Sequence, residues 1–433
     1  MTMCSVFLIF FGVHTTIALA PGGKLLAPYV LSFIGAVIII CINVNRIKFS
    51  TVGLYGVLTL FLVTCAVITA QKDGALPQHI ISTGQLLYAL VIAYGTFLGL
   101  QVCGIRWASR FFLLAAIVLI VGSFLELYGG FKPVSDAFRN AVNSWHAQDI
   151  YNNDLRDLQD YGGIRPKFFA PEPAVLGSMT GFAILFWFLS ARRLSGFRLL
   201  GASCLTVAAL FLIRSPTTLL CGVIIFIFYL SELGRSRISR MRTAVVGVTA
   251  LTVILIAPGI VNSTTNYGGS VSFFMRELSP PMVTAEVLQS QPFLGTGIGG
   301  WAQVVPFGES VFAHAGGSSY RALQRVEITD PDVAKSMLAS ALWEFWVDLG
   351  LMGGILVIWL LWRTMGQLAI PHRFVVFISG AIILTMGGAM VSPRHWVGLF
   401  TLACLDQMRT ALANEEEALH PKAELIPAAA GFR

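Results

Sequence analysis

About twelve stretches of this chain run for the length of a membrane-crossing helix with hardly a charge in them: near 2–20, 25–44, 51–70, 85–103, 111–128, 174–191, 198–213, 217–233, 243–261, 341–362, 372–391 and 395–408. Roughly 20 apolar residues in a row span the hydrocarbon core as a helix. No water is available there to satisfy backbone N–H and C=O groups, so runs this long and unbroken are helices rather than barrel strands. The fold class is therefore all-α, a polytopic membrane bundle. Composition agrees: 56% of residues are hydrophobic, 12% are charged and mean hydropathy is +0.75, whereas a soluble domain carries about a quarter charged residues.

The net charge of +7 reports topology. Lys and Arg of short loops are retained in the cytosol. Counting alternate loops, one set holds Arg46, Lys48, Arg106, Arg110, Arg192, Arg193, Arg198, Arg235, Arg237, Arg240, Arg242, Arg363 and Arg373, and the other only Lys24, Lys72, Arg214 and Arg394. The bias places both termini in the cytoplasm and two long polar loops, about 129–173 and 262–340, on the far side. A nucleic-acid partner is not implied. The segment ending at Ala18–Ala20 resembles a cleavage site but has no basic region before it and is followed by Pro21, so it reads as a retained first span. The seven cysteines all fall in or beside apolar segments, which implies neither a disulfide framework nor a thiolate metal site. The tail 409–433 reads as a solvated cytoplasmic end.

Polarity returns in the two long loops. The first is rich in Asp, Asn, Arg and Tyr, a composition suited to binding sugars, and closes on IRPKFFAPEPAVLGS. There Arg165, Lys167 and Glu172 stand at the mouth of an apolar helix. A carboxylate beside a helix start also suits the helix dipole, and the two cations would also suit a solvated loop. Arg214 ends an apolar run and is followed by Ser215 and Pro216, an N-cap and a first-turn residue. Free backbone N–H groups beside a guanidinium form a ready phosphate site; snorkelling to the interface is the competing account. The second loop repeats the device, with Arg276 before Ser279 and Pro280, which cap a short amphipathic helix running toward Gln291. Gly295, Gly297, Gly299 and Gly300 follow neither a strand nor precede a P-loop Lys, so they read as a tight turn rather than a nucleotide loop.

Taken in order, these segments resemble the O-antigen polymerase and ligase superfamily. Arg276, a short helix and QPFLGTGIGGW are similar to its R…W…P-L-x-G-x-G-x-G-x-F signature; FFAPEPAVLGS to its F-x-EPS-x-x-G segment, with Ala174 in place of Ser; LIRSPTTLL to S-R-T-x-L; and WEFWVDLGLMGGIL to L-x-E-x-G-x-x-G. The resemblance implies a GT-C-like helical bundle in the bacterial inner membrane. It would transfer undecaprenyl-diphosphate-linked glycans on the periplasmic face without metal or nucleotide cofactor. Arg214 and Arg276 would hold the donor diphosphate with Ser215. Glu172 and Arg165 would line the sugar path with Lys167, Trp301 and Arg321. The H-N pair that superfamily ligases carry before this last motif is replaced by Ala339 and Ser340, which turns the expectation toward a polymerase. Glu172, Glu344 and His314 are the possible bases. The alternatives are a ligase passing finished glycan to lipid A core or protein, and a flippase of lipid-linked oligosaccharide. A chain-length regulator is a further possible partner.

Overall fold

The computed structural model describes residues 1–18, 29–142, 151, 154–191, 194–233, 274–314 and 338–419. The named elements are α1 (Thr2–Thr15), α2 (Val30–Ile42), α3 (Phe49–Asp73), α4 (Leu76–Cys103), α5 (Ile105–Tyr128), α6 (Lys132–Ala141), α7 (Asp154–Tyr161), α8 (Pro173–Leu189), α9 (Gly196–Ile213), α10 (Pro216–Leu233), α11 (Ser279–Ser290), α12 (Trp301–His314), α13 (Ala341–Gln367), α14 (Arg373–Leu384) and α15 (Pro393–Leu419). A π-helical turn, Phe274–Leu278, leads into α11. Among the described residues there is no strand; Ser340 and Gly388 form an isolated bridge.

Five helices, α3, α4, α5, α9 and α13, are long and apolar enough to cross a membrane, and α1, α2, α8, α10 and α14 are apolar but shorter. The protein is thus a helical membrane protein; the span expected near 243–261 lies outside the described residues. Two elements end early for local reasons. At the end of α1, Thr16 turns left-handed at φ 52°. Beyond α14, Gly387 and Gly388 take φ of 85° and 97°.

Two helices form the middle of the bundle because they are apolar on nearly every side. α8 is buried along almost its whole length and packs on α5, α9, α10 and α15, while α4 packs on α1, α2, α3 and α15. Helices in lipid associate through close packing and interhelical hydrogen bonds. Gly95 of α4 leaves room for α2: a Cβ there would stand 2.7 Å from that of Ala36. Ser32 Oγ of α2 donates to Ile9 O of α1 at 2.9 Å.

Contacts gather the loops at one end. His14 Nε2 bonds Phe168 O at 2.7 Å, His79 Nδ1 bonds Ile298 O at 3.0 Å, and Tyr29 Oη lies 2.9 Å from Ser392 Oγ. We call this the loop end. α4 leads from it to the opposite end, where α5 begins. The second loop has a small core of its own, including Phe274, Val283, Val287, Trp301 and Val311.

α13 is broken. Gly350 has φ 62° and ψ −174° inside it, so neighbouring backbone groups lose their helical partners. The glycine turn after α11 replaces them: Thr296 N donates to Val347 O and Gly297 N to Asp348 O, both at 2.9 Å, while Leu351 N donates to Pro292 O at 2.7 Å and Gly353 N to Phe293 O at 3.2 Å. Irregular backbone survives within a membrane protein only when sealed in this way.

Candidate functional site

The Ser-Pro starts of α10, α11 and α15 each carry an arginine alongside. The first is Arg214, left-handed at φ 53° as the C-cap of α9. Its guanidinium lies along the first loop, where a Cβ on Gly163 would stand 2.2 Å from Nη1. Ser215 is buried and shares a 2.8 Å hydrogen bond with Thr217, and Thr218 Oγ1 donates to Gly177 O of α8 at 3.0 Å. The start of α10 is thereby fixed to α8.

The second and third arginines meet at one turn. Arg276 reaches the Gly387–Gly388 bend, its Cζ 3.9 Å from where a Gly387 Cβ would be. Arg394, 5% exposed, donates from Nη2 to Gly387 O at 2.7 Å. Glu344 closes the turn from α13: it is 1% exposed, and its Oε2 accepts from Met390 N at 2.6 Å. His395 lies beside Gly388 and is buried. Burial pushes the Glu277 carboxyl above its ordinary value, against the pull of neighbouring Arg276.

The first loop is braced by its own ion pairs. Arg165 is buried and bound to Asp157, with Nε–Oδ1 at 2.8 Å and Nη2–Oδ1 at 2.7 Å. Lys167, 2% exposed, donates from Nζ to Asp154 Oδ1 at 2.9 Å, and Lys132 Nζ shares the same carboxylate at 2.5 Å. Burial opposes ionisation of Asp154, but the two lysines prevail and hold its carboxyl below the usual range. Tyr151 donates to Asp157 at 2.7 Å, and burial together with that carboxylate pushes its hydroxyl up to about 12.

No family model, curated protein or solved structure matches the chain. The site therefore stands on its own geometry.

That geometry treats the expected site residues differently. Arg276 and Glu344 are brought to one turn, and Arg214 with Ser215 sits at the start of α10, which packs on α14, the helix leading into that turn. Glu172 is the N-cap of α8 but makes no side-chain capping bond, and its carboxylate has no hydrogen-bond partner among the described residues. Arg165 and Lys167 brace the loop. Trp301 is 7% exposed within the second loop's core, so packing takes up its ring. His314 is exposed and binds Ser310 O of its own helix through Nδ1 at 2.8 Å. Arg321 lies outside the described residues. Among those residues no group of three His, Cys, Asp or Glu could hold a metal ion.

Arg394 and His395 are additions to the expected set. Their signal was present: SPRH at 392–395 is a third Ser-Pro start with an arginine beside it.

Proposed function

We propose that the chain is a polymerase of polyprenyl-diphosphate-linked oligosaccharide repeat units, an inner-membrane glycosyltransferase of the O-antigen polymerase and ligase type. The loop end would face the periplasm and both termini the cytosol. The observation that carries this reading is the meeting of Arg276 and Arg394 on adjacent glycines. Two guanidinia held at one bend offer a diphosphate several charge-assisted bonds in a fixed frame. Arg214 adds a third guanidinium at the loop end.

A lipid tail also has room. Between α1, α5 and α8 runs a cleft of about 360 Å³ lined largely by phenylalanine, with His14 and Phe168 at its loop end. An isoprenoid chain lying there would present its diphosphate near the first loop.

In the proposed step the acceptor sugar hydroxyl attacks the anomeric carbon of the donor. The new C–O bond forms as the bond to the diphosphate breaks, and the electron pair leaves on the diphosphate, where the arginines stabilise the developing charge. The hydroxyl proton passes to a carboxylate. Glu172 suits that role better than Glu344, whose Oε2 is already bound to Met390 N. One direct displacement inverts the anomeric centre.

The test is mass spectrometry of lipid-linked and surface glycans from cells carrying wild type, a deletion, Arg276→Ala or Glu172→Gln. Each substitution is expected to lower polymer yield by about 10²-fold or more, with single repeat units accumulating on the carrier outside the cytoplasmic membrane. Finished chains stranded on the carrier would mean a ligase, and repeats trapped on the cytosolic face a flippase. Wild-type polymer in both variants would overturn the diphosphate assignment.

A further inference from the structure

At the end opposite the loops, the start of α5, the end of α8 and the start of α9 enclose a recess of about 650 Å³. Arg106 and Arg110, both exposed, line it from α5, and Arg198 lines it from α9. Arg198 knits the three helices together. From Nη2 it donates to Ser109 Oγ at 3.0 Å, to Ser190 Oγ at 3.1 Å and to Trp187 O, and its Cζ lies 4.6 Å from the centre of the Trp187 ring.

Three features suit this recess to an anion. Among the described residues no carboxylate pairs with any of the three guanidinia, and those of Arg106 and Arg110 are exposed. The starts of α5 and α9 both lie at the recess, so the positive ends of two helix dipoles reinforce the arginines. Ser109 and Ser195 add hydroxyls to the lining.

The surroundings decide where the anion comes from. α5 and α9 are candidate spans of which only 28% and 22% is buried within the protein, so both present their flanks to lipid. Phe197, at the rim of the recess, is 87% exposed, and Leu200 one turn on is 61% exposed. Large apolar side chains left bare beside a basic recess fit acyl chains below a phosphate headgroup, and a soluble anion would make no use of them. We propose that this recess binds the headgroup of an anionic phospholipid from the surrounding leaflet, with its acyl chains along α5 and α9. The proposal does not depend on the reaction assigned to the loop end.

The test uses the full chain in neutral detergent, titrated with phosphatidylglycerol, with phosphatidylcholine of the same acyl chains, or with inorganic phosphate, and read by native mass spectrometry and thermal unfolding. Saturable binding and stabilisation by phosphatidylglycerol alone are expected. The Arg106→Gln/Arg110→Gln variant should weaken that binding by roughly thirtyfold. These side chains are exposed, so the variant keeps the fold held by Arg198. A charge-matched variant at the same end but outside the recess, Arg46→Gln/Lys48→Gln, should bind as wild type. Equal responses to the two lipids, equal weakening in the two variants, or the same stabilisation by inorganic phosphate would each overturn the proposal.

Discussion

Asp157 serves several donors at once: the Tyr151 hydroxyl, the Arg165 backbone amide and the Arg165 guanidinium. Its side chain is fully buried, so removing its charge takes from the buried Arg165 guanidinium the carboxylate it is paired with. Asp157→Asn keeps the shape and is expected to cost about 3–5 kcal/mol, seen as faster proteolysis within the first loop. The neighbouring Asp154 sets a pH window for the same readout. Its folded carboxyl titrates below the ordinary 3.8, so its contribution is fully present above that value and is lost as pH falls through the lowered one. Lys132 is shifted the other way, chiefly by its bond to Asp154, above 10.5; its contribution is full below 10.5 and fades as pH rises past the raised value. Loop proteolysis should therefore stay constant from mildly acid to mildly alkaline solution. Loosening within that range would refute the account. Reading residues singly shows that Arg165 and Lys167 are charged, but not that Asp157 and Asp154 neutralise them, because those pairings exist only once the loop has closed.

Among the elements, α13 depends most on another segment. The turn that seals its break places Gly295 at φ 59°, and a Cβ there would stand 2.0 Å from Val347 O. Gly295→Ala should strain the backbone by about 1–3 kcal/mol and also push the turn off the break, sharply lowering the yield of folded protein. Gly53→Ala in α3, where nothing lies within 4 Å, should be tolerated. Equal yields of the two variants would show that the seal contributes nothing. Much at this scale was legible in the sequence. A helix running from Ser279 toward Gln291 appears as α11, and Pro173 does open α8; Ser279 does not cap α11, because the π-helical turn runs straight into it and Leu278 stands at the cap position without a side-chain bond. The break at Gly350 was not legible there, since a glycine inside an apolar run raises no local objection to a helix; only the approach of the second loop makes a left-handed residue worthwhile at that position.

For the whole molecule, the apolar runs were enough to read an all-helical membrane protein, because the solvent leaves the backbone almost no alternative. How the loops converge was not legible, since it depends on packing between helices far apart in sequence. The polymerase reading sets the loop end outside the cell membrane. In a background with the native cysteines replaced by serine, a cysteine at Asn140 in α6 should react with an impermeant thiol reagent in intact spheroplasts. One at Arg46 should react only after permeabilisation. The reverse pattern would put the diphosphate chemistry on the cytosolic face and sink the proposed function.

The joint at Gly350 has a consequence for divergence. Its four bonds run from main chain to main chain, so most side chains along the joint can change without touching them. A lineage keeping this architecture would need to preserve the glycines and the number of residues between Gln291 and Gly300, while most letters in between drift. Such a protein can keep its shape over a span of descent in which identity, position by position, fades to nothing.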